Sequence, residues 1–350
     1  MERRWWRTPR DILSSSLARS GMPSTFFHFV YRTSLGSQVW IALLAVLVFV
    51  LETAPLEMQR RILNAAILHH DVGLVVTLAI AYAGIVGCQG LLKLLMNVYG
   101  GWIGERAVRA LRLAASKVVA AIPAREQDAD VRGIQISMIL SEPEPIGTFT
   151  GVVVAEFVLH AGILMSVFGY MFFMDPALAF VCLLVFAPQV VFVPLMQAAI
   201  NRRVRLRIGV LRQASVGALL VDGRTAGRAQ MARFADIFEL NLGILKLRFS
   251  MKFLMNLTQN FGRVIVLCVG GWYIVRGRSD VGTVVAFVSG LGNLRDPWSD
   301  LVNWYQEVTL TSTRYRVFTA AMNKFASRRA SPLRADELPA APGTEISLHA

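Results

Sequence analysis

Charged side chains make up only 17% of the 350 residues, and cysteine appears three times. So little charge against an apolar share of 55% and a mean hydropathy of +0.50 excludes a disordered chain and argues against a soluble enzyme. Cys88, Cys182 and Cys268 lie far apart in apolar stretches, a pattern that suits neither a disulfide framework nor a thiolate metal site. They are expected to be free, buried thiols. Lysine is scarce too: Lys93, Lys117, Lys246, Lys252 and Lys324 are the full set, and none follows a glycine. A phosphate loop needs G-x-x-x-x-G-K-[ST], in which backbone amides and one lysine hold the phosphates. The chain is therefore expected to be no enzyme by that chemistry, with no catalytic residue and no metal of its own. His69, His70 and Asp71 stand together but fall short of a full ligand set.

What is present is length without charge. A bilayer core of ~30 Å needs about 20 helical residues. Six apolar runs approach or exceed that length: Gln38–Leu56, Val72–Tyr99, Gly147–Met174, Pro176–Ile200, Leu254–Val275 and Val281–Tyr305. Met174-Asp175-Pro176 leaves room only for a tight helical hairpin, with proline at a first helical position. In Arg276-Gly277-Arg278-Ser279-Asp280, the glycine ends one helix and the aspartate caps the next.

The net charge of +13 follows topology rather than a nucleic-acid patch. Of 36 Lys and Arg, 31 fall before the first run, in 93–146, in 202–263 or after 305; Arg60, Arg61, Arg276 and Arg278 occupy the other side, and Arg295 lies within a run. Both termini are expected in the cytoplasm. The first 35 residues hold six arginines but no apolar core or cleavage site, which argues against a signal peptide, although an arginine-rich start also fits a mitochondrial presequence. Phe26–Arg32 suits a short interfacial helix. The basic excursions are helical in pattern: Ala107, Val108, Leu111, Ala114, Ala115, Val118 and Val119 form an i, i+3/i+4 stripe over Gly104–Ile122.

Glu156 and His160 sit inside the third run, four residues apart and so on one face. An ionisable residue there costs about 2.5–3.5 kcal/mol unless it meets a cavity or a partner. Asn293, Asp296, Asp300, Asn303 and Trp304 share a face of the sixth run at 3–4 spacing, with Arg295 off it. Both groups are candidates for a water-filled pathway or, alternatively, for internal structural pairing.

Short outer turns and two helical cytoplasmic excursions make a distinctive plan. Gly104-Glu105-Arg106-Ala107-Val108-Arg109-Ala110-Leu111-Arg112, and Gly270-Gly271-Trp272-Tyr273-Ile274-Val275-Arg276-Gly277 followed by Val281-Gly282-Thr283-Val284-Val285-Ala286-Phe287, resemble segments of the transmembrane domain of ABC exporters. The resemblance covers about residues 25 to 325. It implies an all-α membrane protein with six transmembrane helices of the type I exporter fold and long cytoplasmic helical extensions. It also implies an N-terminal segment with an elbow helix over 1–35, the six-helix domain over 36–325 and a linker tail over 326–350 leading toward an absent ATPase domain.

By the same resemblance the chain is a permease subunit, working in export and located in the bacterial inner membrane. It pairs as a homodimer, or as a heterodimer with a related transmembrane domain. An ABC ATPase on a separate chain would supply ATP and Mg chemistry; this chain needs no cofactor and no nucleic acid. Coupling helices that dock onto the ATPase correspond to 124–133, with Arg125, Glu126, Asp128 and Asp130, and to 221–231, with Asp222, Arg224 and Arg228. In the second, Asp222 replaces the family's usual glutamate and two glycines weaken the helix. The alternative is a truncated or repurposed exporter-fold protein with a scaffold or regulatory role and no transport.

Overall fold

A computed structural model describes residues 22–120, 136, 138–219 and 224–330, and every regular element among them is helical. In chain order these are α1 (Phe26–Leu51), α2 (Ala54–Asn64), α3 (Val72–Ala120), α4 (Pro143–Met174), α5 (Pro176–Leu219), α6 (Arg224–Val275), α7 (Val281–Asn293) and α8 (Arg295–Ala330). A π-helical turn, Ala65–His69, follows α2. Five stretches among the described residues are long and apolar enough to cross a membrane: Phe26–Ile67, Val72–Ala120, Met138–Met174, Pro176–Leu211 and Gln230–Val275. Each includes one of the first five apolar runs and continues beyond it, because helix persists where hydropathy falls.

The sixth run is divided. α7 ends at Asn293, and α8 begins at Arg295 with Pro297 in its first turn. Proline has no N–H for the carbonyl four residues back, here that of Asn293, and its ring crowds that carbonyl. At 13 residues α7 reaches about 20 Å, short of the hydrocarbon thickness. The polar start of α8 must complete the passage.

The turns follow their capping residues. Asp175 Oδ1 accepts hydrogen bonds from the N–H groups of Ala177 (3.0 Å) and Leu178 (3.1 Å), and Pro176 opens α5. Gly277 adopts φ +68°, its N–H donates to Ile274 O and the Arg278 N–H to Tyr273 O, both at 2.9 Å. That paired closure of a helix C-terminus needs a left-handed residue, which glycine supplies without strain.

The chain divides into two compact units. One is formed by Met1–Ser37, Gly100–Val152 and Val308–Ala350, and the other by Gln38–Tyr99 and Val153–Glu307. In the first, the elbow helix expected over Phe26–Arg32 is the start of α1, set off by a break at Ser34 (φ −145°, ψ 19°). Phe26, Phe29 and Val30 are buried; Phe26 stacks on Phe149, both phenylalanines meet the Tyr315 ring, and Tyr315 Oη donates to Pro23 O at 2.9 Å. The expected stripe on α3 faces inward at Ala107, Val108, Leu111, Ala114 and Ala115.

In the second unit Met171, Leu178, Phe186, Val266 and Phe287 are buried, while Phe173 is 88% and Leu184 66% exposed. An apolar exterior over an apolar interior is what lipid as a solvent allows. Of the three free thiols only Cys182 is buried; Cys88 and Cys268 are exposed on their apolar helices, contrary to the expectation from sequence. The run of similar apolar residues on every side of these helices carries no mark of which side faces in.

Candidate functional site

The polar candidates converge within the second unit. Glu156 and His160 project from α4, and Asp300, Asn303, Trp304 and Glu307 from α8, around a cavity of about 400 Å³. Four-residue spacing explains why each helix contributes a single face: 156 and 160 are one turn apart, and 300, 303, 304 and 307 form a continuous stripe.

Trp304 fastens the two walls. Its indole Nε1–H donates to the Val153 carbonyl at 2.7 Å, and its ring lies 4.8 Å from that of Phe157. A buried indole that finds a carbonyl partner keeps its apolar face free for packing. Trp298 does the same one turn and a half earlier, donating to Gln189 O at 3.3 Å and meeting Phe186 edge-on. Beyond the cavity, Gln306 Oε1 accepts from Gln197 (3.2 Å) and Asn201 (2.5 Å) of α5.

His160 turns to Asp300, not to Glu156. Its Nδ1 lies 3.9 Å from Asp300 Oδ2, too far for a hydrogen bond, and is buried without one. Glu156 has no cation beside it among the described residues; the charged groups acting on it are Asp300 and Glu307. Glu156 and His160 make no ion pair with each other among the described residues.

Asn293 and Asp296 are exposed and do not line this cavity. Asn293 belongs to α7, before the break at Leu294, and Asp296 lies on α8 one turn ahead of Asp300, the first α8 residue on the cavity wall. Conversely, Glu307 was not among the sequence candidates, although it lies four residues beyond Asn303 on the same face. The apolar run ends at Tyr305, but the helix continues past the point where hydropathy stops.

An ion pair also joins two of the apolar runs. Glu52, at the end of α1's apolar stretch, takes a 3.2 Å contact from Lys93 and a short hydrogen bond from Gln89, both on α3. Arg263, counted with a basic loop, lies within the membrane-length stretch of α6, where its Nη1 donates to Asn260 Oδ1 at 3.4 Å.

Of the coupling candidates, Arg125, Glu126, Asp128, Asp130 and Asp222 lie outside the described residues. Arg224 opens α6, and Arg228 is exposed on it. Between α5 and α6, Arg203 Nη1 donates to Gly243 O (3.2 Å) and Arg207 Nη1 to Asn241 Oδ1 (3.1 Å). No group of three or more metal-ligating side chains occurs among the described residues.

Compared with known proteins, residues 40–208 match the family model of the ABC transporter transmembrane region. No curated protein matches the chain.

Proposed function

We propose that the chain, of which residues 40–208 match the family model of the ABC transporter transmembrane region, is a permease subunit whose α4 and α8 line the substrate pathway. The observation that carries this reading is the cavity bounded by Glu156, His160, Asp300, Asn303, Trp304 and Glu307 between α4, which lies in a membrane-length stretch, and α8. Ionisable side chains held in hydrocarbon are too costly to keep without water, a partner or a ligand. The pathway serves export, and two transmembrane regions, identical or related, enclose it. Power comes from an ATPase module outside these 350 residues, docked through the segments 124–133 and 221–231, with Arg125, Glu126, Asp128, Asp130, Asp222, Arg224 and Arg228 as contacts. ATP and Mg would be bound there.

Cysteine accessibility tests the pathway. In a chain freed of Cys88, Cys182 and Cys268, single cysteines at His160 and Asn303 are expected to react in native membranes with a membrane-impermeant maleimide. Cysteines at Leu184 and Val191, exposed on the apolar outside of α5, are expected not to. Silence at both His160 and Asn303 would make the cluster a dry structural pairing and remove the pathway reading.

A further inference from the structure

The cavity carries a charge imbalance. Even with Glu307 left aside, Glu52, Glu156 and Asp300 supply three carboxylates in this part of the unit, and the cations that meet them are Lys93 and His160. Lys93 is committed to Glu52 at 3.2 Å. His160, 3.9 Å from Asp300, is a cation only when protonated. Glu156 is left on the cavity wall with no ion pair among the described residues, facing carboxylates of its own sign. A carboxylate in that position gains most from a cation that arrives with the ligand.

The cavity's other wall supplies what an apolar body would need. The indole of Trp304 is held by Val153 O, so its ring cannot swing away, and Phe157 backs it at 4.8 Å. Aromatic faces attract cations, most strongly when both are out of water. At about 400 Å³ the space matches pockets that hold small organic molecules. It is not a bare acidic cluster, because one side is carboxylate and the other aromatic.

We propose that this cavity selects organic cations with an apolar body, the charge set against Glu156 and Asp300 and the body against Trp304. Anions of the same shape are rejected. The inference rests on the pathway reading and specifies its substrate class.

Two ions of nearly equal shape and opposite charge separate the possibilities. Radiolabelled tetraphenylphosphonium and tetraphenylborate are titrated against the purified full chain in phosphatidylcholine nanodiscs. The phosphonium is expected to bind saturably and more tightly than the borate. Glu156→Gln together with Asp300→Asn is expected to weaken the phosphonium by at least about tenfold while the borate binds no worse. Glu144→Gln, the same charge change at an exposed pair with Arg112 (3.2 Å), is expected to leave both ions unchanged.

Equal binding of the two ions, or an unchanged preference in the double variant, overturns the proposal. Should the double variant fail to fold, Glu156→Asp with Asp300→Glu provides the second reading. It keeps the charge, so it must keep the preference, and losing the preference while melting normally also overturns the proposal. Labelling of Asn303→Cys without any cation preference would sink the substrate class alone. No labelling and no preference would sink the pathway with it.

Discussion

A single methyl group distinguishes tolerated from forbidden positions along α3 and α4 within the first unit. Gly147 and Gly151 on α4 approach Gly104 and Val108 on α3 so closely that a Cβ at Gly151 would come 2.7 Å from Gly104 N, and one at Gly147 would come 2.5 Å from Val108 N. These neighbours are backbone and cannot rotate aside, and small residues four apart are how membrane helices achieve such contact. Gly151→Ala is expected to cost about 1–3 kcal/mol through overpacking. Gly84→Ala, where nothing stands within 4 Å of the new methyl, is expected to gain up to about 1 kcal/mol from helix propensity. Thermal melting of the detergent-solubilised chain measures both; a Gly151 variant as stable as wild type would contradict the close approach. The spacing of these glycines is visible in the sequence. Which two pairs meet is not, because helices of similar hydropathy on every side could pack in several registers.

At the scale of an element, the turn that opens α7 shows the same division between local signal and distant partner. Asp280 accepts from the Thr283 N–H at 2.6 Å, the cap its position in the sequence suggests. Its Oδ1 also accepts from Asn64 Nδ2 at 2.9 Å, and Asn64 Oδ1 in turn accepts from the Gly282 N–H at 3.1 Å. Asn64 is more than two hundred residues away in the chain, so only the fold reveals that the end of α2 and the start of α7 are one hydrogen-bonded corner. Partial burial pushes the pKa of Asp280 up, but the bonds from Thr283 and Asn64 and the charge of Arg60 outweigh it and hold the carboxyl below its ordinary range. A depressed value in the folded state means the contribution is complete above the unfolded value of about 3.9 and is lost as pH falls through the lower, folded one. Asp280→Ala is thus expected to cost about 1 kcal/mol at neutral pH. The gap between variant and wild-type melting temperatures should close as the pH is taken below about 4; a gap that stays constant would show that the carboxylate charge is not what caps α7. The break in span six was likewise half legible. Pro297 is visible in the sequence, but the end of α7 at Asn293 and the restart at Arg295 are seen only in the fold.

For the whole molecule, helix length sets how far the chain reaches beyond the hydrocarbon. At 1.5 Å per residue, the 49 residues of α3 and the 52 of α6 extend about 74 and 78 Å against a hydrocarbon core of ~30 Å. More than half of each helix must therefore lie outside the hydrocarbon. On α5 and α6 that portion is braced by the bonds of Arg203 to Gly243 and Arg207 to Asn241. These two bonds tie α5 to α6 one turn apart, at positions 203 and 207 against 243 and 241. The segments 124–133 and 221–231 are the docking sites proposed above for an ATPase. Tagged full-length chain extracted from its host membrane is expected to bring with it a phosphate-loop ATPase that hydrolyses ATP in the eluate. Replacing 124–133 with a Gly/Ser linker is expected to remove that ATPase, with the melting temperature measured alongside to separate lost docking from lost folding. Retention of the ATPase by the linker variant would move the docking surface elsewhere. Recovery of none by the wild-type chain would mean that no ATPase drives it, and the exporter architecture would then serve as a scaffold.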